Sequence, residues 1–334
     1  MKKLNKKKPI IGFSIGDING IGPEILIKSL SNNNLTNLFT PLVYCNYEII
    51  DYYSKILKIT LLYEKIDCIN DIKLNKINLI KVTNAKINIE PGKIKKYAGV
   101  YSYKSLQLST NDLIKNKIDS IVTLPINKKN IQSEKFKFPG HSEYFAKKSK
   151  SKHFLMMMIS KKLKIGVCTG HIPFKFISKK ISKLELINKI NILIDTLKNN
   201  FKINNPKIGI LGLNPHAGED NMLGKEEKKI INPAIKELNN KKNNLFGPFS
   251  SDSYFGNKLY KKYDATFALY HDQGLIPFKM ISFSEGVNFT AGLKFIRTSP
   301  DHGTAYDISG KNLANNISLD KAILLNLKII SKNE

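Results

Sequence analysis

Short apolar and β-branched runs recur along this chain, separated by longer stretches in which apolar residues return every three or four positions. The short runs are Ile10 to Ser14, Leu42 to Tyr44, Leu79 to Val82, Ser120 to Leu124, Ile165 to Cys168, Lys207 to Leu211 and Ala265 to Tyr270. Helical spacing is plain over Lys183 to Asn199 and Glu226 to Leu238. Strand–helix alternation of this kind predicts an α/β fold with a mainly parallel sheet and helices on both faces, in which ligands gather at the carboxyl ends of the strands. No internal repeat or low-complexity linker is evident, and the Lys/Asn-rich stretches 239–244 and 147–152 read as solvated loops or helix ends.

The 334 residues suffice for a full hydrophobic core, as one large domain or as two lobes sharing a sheet. No apolar run approaches the roughly 20 residues of a membrane span. The basic start, Met1 to Lys8, leads into the first strand without the apolar stretch of a signal peptide, so a cytoplasmic location is expected. Cys45, Cys68 and Cys168 are widely spaced and form no CxxC pair, which argues against both a disulfide framework and a thiolate zinc cluster.

The formal charge of +27 invites a nucleic-acid partner, but its distribution opposes one. Lysines are scattered along the whole chain among many Asn and Ile residues, Trp is absent, and Arg297 is the single arginine. This resembles a drift of composition towards Lys, Asn and Ile at tolerant positions. Lysine replaces arginine readily on a solvated surface but not where a planar fork must grip a phosphate or carboxylate in two places, so Arg297 marks a candidate anion site.

Three of the six histidines follow directly on expected strands: His171 after Val167-Cys-Thr-Gly, His216 after Leu211-Gly-Leu-Asn-Pro, and His271 after Phe267-Ala-Leu-Tyr. Three imidazoles converging at one sheet edge would hold a catalytic metal with an open position for substrate. The alternative is three loop histidines satisfied by backbone carbonyls. Asp272 would be a further oxygen ligand or an orienting partner. His141 opens Gly140-His-Ser-Glu, where Ser142 and the exposed amides of a helix start would receive a phosphate, or would simply cap the helix. Gly16 to Glu24 follows the first strand and, with Pro23 and Glu24, opens a helix; it is either a site of close ligand approach or a tight turn. Lys279, Asn288 and Arg297 fall in one polar stretch and are candidates to converge on a dianionic phosphate.

Several long motifs then tie the chain to a family. GDINGIGPEI, PGHSEYFA, CTGHIPF, GLNPHAGEDNMLGKEE, GPFSSDSYF, YDATFALYHDQGLIPFK and VNFTAGLKFIRTSPDHGTAYDISG together resemble the 4-hydroxythreonine-4-phosphate dehydrogenases of pyridoxal 5′-phosphate synthesis over nearly the whole length. The resemblance implies a two-lobed α/β/α fold akin to isocitrate and isopropylmalate dehydrogenases, expected here as residues 1–128 plus 265–334 and 129–264. It implies a homodimer with its active site at the subunit interface and a divalent metal, zinc, magnesium or cobalt, on His171, His216 and His271. It assigns His141, Ser142, Lys279, Asn288 and Arg297 to the phosphorylated substrate. The stretch Asp301 to Lys311 is similar to a cofactor-side segment of isopropylmalate dehydrogenase, which carries NAD or NADP contacts over to His302, Gly303, Thr304 and Asp307.

The chain departs from the family pattern at Ser142, which keeps the hydroxyl of the usual Thr, at Gly170, where Thr is usual, and at Ile18, where Pro is usual. The implied reaction is oxidation of 4-phosphohydroxy-L-threonine to 2-amino-3-oxo-4-(phosphooxy)butanoate, which decarboxylates to 3-amino-2-oxopropyl phosphate. Lys279, Asp252 and Asp272 are the candidate proton carriers. The rival readings are a tri-histidine metal aldolase or hydrolase on a phosphorylated small molecule, which would need no dinucleotide, and a basic binding protein without turnover.

Overall fold

A computed structural model describes residues 8–333; the basic stretch 1–7, read above for targeting, lies outside them. Its strands in chain order are β1 (Ile10–Ser14), β2 (Thr40–Tyr44), β3 (Glu64–Ile66), β4 (Asn78–Ile80), β5 (Ser120–Thr123), β6 (Leu155–Ile159), β7 (Lys164–Thr169), β8 (Lys207–Leu211), β9 (Asn244–Phe249), β10 (Ala265–Tyr270), β11 (Val287–Ala291) and β12 (Ile296–Pro300). Contacts divide the chain into two compact units, Met1–Ser149 with Lys294–Lys332, and Lys150–Leu293. Residues 129–149 therefore fall in the first unit and 265–293 in the second, where the expected lobes had them the other way. Pairing explains the shift in the second case, because β10 is bonded to β7 and β8, and β11 to β6.

The first unit carries strands in the order β3-β4-β2-β1-β5-β12, all parallel. From β1 the chain builds outward through β2 to β3 and β4, then returns along the helix Lys96–Ile114 to lay β5 on the other side of β1. That helix buries small hydroxylated residues. Ser102 Oγ donates to the Gly16 carbonyl at 2.7 Å and Ser105 Oγ to the Tyr44 carbonyl at 2.7 Å, so the helix satisfies the loops that leave β1 and β2. The helix Gly22–Leu30 begins with Pro in its first turn, as the sequence predicts.

The second unit has the order β11-β6-β7-β10-β8-β9, with β11, β6 and β7 antiparallel and β7, β10, β8 and β9 parallel. The helix Lys183–Asn199 has the bounds read from its periodicity. The expected helix 226–238 instead opens with a π turn, Glu227–Ile231, before the α-helix Asn232–Asn239. The unit's core includes a cluster of rings around Tyr254, which is fully buried and whose hydroxyl lies 2.9 Å from Thr266 Oγ1. Among the described residues, no helix is long and apolar enough to cross a membrane.

Gly99, in the helix Lys96–Ile114, is the sharpest packing constraint in the first unit, because a Cβ there would lie 2.2 Å from the Asn130 carbonyl oxygen. Intrinsic propensity alone would favour alanine at a helix interior by about 1 kcal/mol. Overpacking against backbone costs about 1–3 kcal/mol and reverses the sign. Gly99→Ala is therefore expected to lower the midpoint of urea unfolding; a raised midpoint would show that the Asn130 turn yields.

Candidate functional site

Strands β7, β10 and β8 are adjacent and parallel, so their carboxyl ends share one edge. His171 follows β7 after Gly170, His271 begins the helix His271–Ser282 directly after β10, and His216 follows β8. The His171 and His271 rings have centroids 5.1 Å apart, and His271 Nδ1 lies 2.6 Å from Asp272 Oδ1. Both line a cavity of about 270 Å³ with Tyr270 and Phe174. A carboxylate on one ring nitrogen fixes the tautomer and leaves Nε2 for a ligand.

His216 is placed differently. It stands in a left-handed run with φ of 49° at His216, 51° at Ala217, 85° at Gly218, 37° at Glu219 and 51° at Asp220. Left-handed non-glycine residues cost of order 1–3 kcal/mol each and persist only where the surroundings hold them. His216 is exposed and acts on Asp252, whose carboxyl is held below the usual range first by the Ser250 hydroxyl and to a lesser degree by His216. Among the described residues, no three His, Cys, Asp or Glu side chains gather closely enough to hold one ion. The expected convergence of three imidazoles is thus reduced to a pair, His171 and His271, with the third histidine on the same edge. The pair suits a divalent transition metal by its ligand chemistry.

Two residues that sequence reasoning passed over hold this edge in shape. Glu227, buried, accepts from the Leu213 and Asn214 amides at 2.8 Å each and from Asn214 Nδ2 at 2.9 Å, so three donors compensate its burial and fix the loop that carries His216. Gln273 accepts from the Leu269 amide at 2.7 Å and donates to the Gly212 carbonyl at 2.6 Å and Ser251 Oγ at 2.8 Å, tying the ends of β10 and β8 together. Both stand inside the long motifs, at the second Glu of GKEE and the Gln of YHDQG, which was the available signal. At Gly170 a Cβ would meet nothing within 4 Å, so the local packing does not require glycine there.

In the first unit, Arg297 on β12 is 2% exposed, and its Nε and Nη2 donate to Thr123 Oγ1 at 3.1 and 2.6 Å. Its guanidinium carbon lies 5.9 Å from the centroid of the Phe145 ring. Burial pulls the guanidinium down to about 9, with Glu143 opposing, so it is cationic at neutral pH. His141 and Ser142 form the first turn of the helix His141–Lys148, whose N-cap, Gly140, supplies no capping side chain. His141 is partly buried as a residue, yet its Nε2 is sealed from solvent with no hydrogen-bond partner. Burial first, then Arg297 and Lys128, holds the imidazole well below its ordinary value. A buried cation, a sealed ring nitrogen and an open helix N-terminus are together the environment of a bound oxyanion. Lys128 is a cation that the sequence did not single out. Lys279 and Asn288, both partly buried, belong to the second unit, on the helix His271–Ser282 and on β11.

His302, Gly303, Thr304 and Asp307 lie in the first unit beyond β12, where their segment interlocks with the first turn. Ile21 N donates to the Thr304 carbonyl at 2.9 Å, Tyr306 Oη to Asp17 Oδ2 at 2.8 Å and Ser309 Oγ to the Asn19 carbonyl at 2.8 Å. Gly16, at φ +70°, and Gly20, where a Cβ would come within 2.8 Å of the Thr304 oxygen, make this a tight turn. Gly303 has open space around it, and Asp307 is exposed. An unobstructed backbone at a parallel sheet's carboxyl edge suits a dinucleotide.

The family model for pyridoxal phosphate biosynthetic protein PdxA matches residues 37–326. A 4-hydroxythreonine-4-phosphate dehydrogenase from Bacteroides thetaiotaomicron is 37% identical over 332 residues, 99% of this chain and 91% of that protein. The crystal structure of the Klebsiella pneumoniae 4-hydroxythreonine-4-phosphate dehydrogenase superposes with a TM-score of 0.84 at 31% identity, covering 97% of this chain and 99% of that one. An isocitrate dehydrogenase from Methylococcus capsulatus shares the fold alone, with a TM-score of 0.52 at 11% identity over 97% of this chain and 86% of that one.

The depressed pKa of His141 gives a pH dependence of defined sign. Unfolded, the imidazole takes up its proton near 6.5; folded, it does so only at lower pH, so the unfolded state binds more protons below 6.5 and stability falls as pH drops through that value. Melting temperatures between pH 7.5 and 5 are expected to decline less steeply in His141→Asn than in the parent; an unchanged slope would mean that this imidazole charges freely in the folded protein.

Proposed function

Because the chain belongs to the pyridoxal phosphate biosynthetic protein PdxA family, we propose that it oxidises 4-phosphohydroxy-L-threonine with a nicotinamide dinucleotide, NAD or NADP, as acceptor. The observation that carries this reading is Arg297 with His141: a buried guanidinium and a sealed, neutral imidazole at an uncapped helix start fit a substrate phosphate. Ser142 adds a hydroxyl there, and Lys279 and Asn288 are proposed as further phosphate contacts. In the reaction, the secondary alcohol loses a hydride to the nicotinamide and a proton to a base, and the resulting β-keto acid releases carbon dioxide. Lys279, Asp252 and Asp272 are the proposed proton carriers, Asp272 also by orienting the His271 ring.

A divalent ion, zinc, magnesium or cobalt, is proposed on His171, His216 and His271; when bound it would supply Lewis acidity towards the substrate oxygen and the enolate left by decarboxylation. The close His171–His271 pair supports two of the three ligands. His302, Gly303, Thr304 and Asp307 are the proposed dinucleotide contacts. The rival aldolase or hydrolase would use the same phosphate grip without a dinucleotide, and the relatives' names favour the dehydrogenase. Free thiols at Cys45, Cys68 and Cys168 accord with a cytoplasmic enzyme.

A homodimer is part of the proposal. Ile276, Met280 and Phe283 are 59%, 83% and 75% exposed at helical spacing at the end of the helix that carries His271 and Lys279. An exposed apolar stripe of this kind is expected at a partner surface. Met280→Glu with Phe283→Glu should halve the mass measured by light scattering; an unaltered dimer would place the interface elsewhere.

The function is tested by following NADH or NADPH absorbance with the protein, either dinucleotide and 4-phosphohydroxy-L-threonine, before and after chelation and metal restoration. A chelator-sensitive rise is expected, and His216→Ala should abolish turnover and metal uptake together. No rise with any metal would favour the aldolase or hydrolase reading.

A further inference from the structure

The loop that follows β8 runs through six consecutive residues in the left-handed region, His216 to Asn221, and five of them are not glycine. Little of this run is packed: Gly218 is buried, while the other five are exposed or partly exposed. Its own bonds, Ala217 N to the Asn214 carbonyl at 3.1 Å, Met222 N to the Glu219 carbonyl at 3.0 Å and Leu223 N to the Gly218 carbonyl at 3.2 Å, close the turn without tying it to neighbouring elements. Backbone of this kind persists only where its surroundings hold it, so the anchor must lie outside the run.

Glu227 supplies that anchor. It opens the π turn Glu227–Ile231, in which Asn232 N donates to the Glu227 carbonyl, and there two consecutive carboxylates reach one side chain of the loop. Asn214 Nδ2 carries two protons and donates to Glu226 Oε2 and to Glu227 Oε2, each at 2.9 Å. The Glu227 carboxylate also sits between two glycines: a Cβ at Gly218 would come within 2.7 Å of Oε2, and one at Gly212 within 3.3 Å of Oε1. The left-handed run is thus held at its one buried residue and, two positions before His216, at Asn214. Between Asn214 and His216 stands Pro215, whose ring fixes φ, so the backbone that presents His216 is set from Glu227.

We propose that Glu227 is a positioning residue for the divalent ion: through Asn214 and Gly218 it holds His216 ready as a ligand, and its loss weakens metal binding although it is not itself one of the proposed ligands. The inference rests on the reading of His216 as a metal ligand and is tested without turnover. Co²⁺ is titrated calorimetrically into the metal-free full chain, and the visible absorption of the bound cobalt reports the number and kind of its ligands. Glu227→Gln keeps the size of the side chain and one oxygen for the Leu213 and Asn214 amides, but turns an N–H towards Asn214 Nδ2 in place of an acceptor. Cobalt affinity should fall about tenfold or more, and the visible band should change with it. Asn214→Ala, which cuts the side-chain link and leaves Glu227 its two backbone donors, should lower the affinity in the same direction.

Cobalt affinity and spectrum unchanged in Glu227→Gln overturn the proposal, and they do so even where the melting temperature of the variant falls, since Glu227 would then support the fold alone. If Glu227→Gln does not fold, Asn214→Ala decides by the same measure. A parent protein that takes up no cobalt removes the metal reading and this inference with it, whereas equal uptake by parent and variant removes only the inference.

Discussion

Parallel pairing is the constraint on which this molecule depends. Strands β7, β10 and β8 run in one direction and lie side by side, so the residues that follow each must emerge at one edge. Three histidines far apart in sequence come to that edge for this reason, and no contact between the imidazoles is needed to bring them there. The same rule operates in the first unit, where β1, β4 and β12 deliver the glycine turn, the Thr83 segment and the segment around Thr304 to the carboxyl side of that unit's own parallel strands. The antiparallel pair β6 and β11 stands outside this logic and contributes Asn288 from within a strand.

The electrostatics separate a generic surface from specific chemistry. Lysine is abundant and mostly exposed, and its pairs with Glu90 or Glu237 are surface contacts of the kind that contribute little to stability. The single arginine is buried, with its fork against Thr123 and its face towards Phe145. A lysine in that position would carry the charge but neither the planar fork nor the flat face. Its burial shows that the one position kept as arginine is not a solvated one.

Strands with continuous β-branched runs were legible, and Ile10–Ser14, Lys207–Leu211 and Ala265–Tyr270 have the bounds read from pattern alone. Strand β6 was missed because four of its five residues, Leu155 and three methionines, fit a helix as well as a strand, and β12 because it holds a buried arginine amid Thr, Ser and Pro. The helix Lys96–Ile114 escaped because small hydroxylated residues fill much of its buried face, which blunts the apolar stripe that periodicity detects. At the site, residue type and motif identified the histidines. Which of them pair was decided by strand order and by the left-handed turn after Pro215, and neither has a one-residue signature.

That serine-lined helix bears on how the chain can change. Its hydroxyls answer carbonyls of the loops leaving β1 and β2, so exchange of Ser102 or Ser105 for an apolar residue of similar size would strand an acceptor in the interior. A lineage whose composition slides towards lysine, asparagine and isoleucine can rewrite solvent-facing positions readily, yet none of those three side chains offers the compact hydroxyl that Ser102 and Ser105 donate beneath this helix. Mutational pressure and polar complementarity oppose each other there, and the inner face should be among the slowest-changing parts of the molecule for reasons of folding alone.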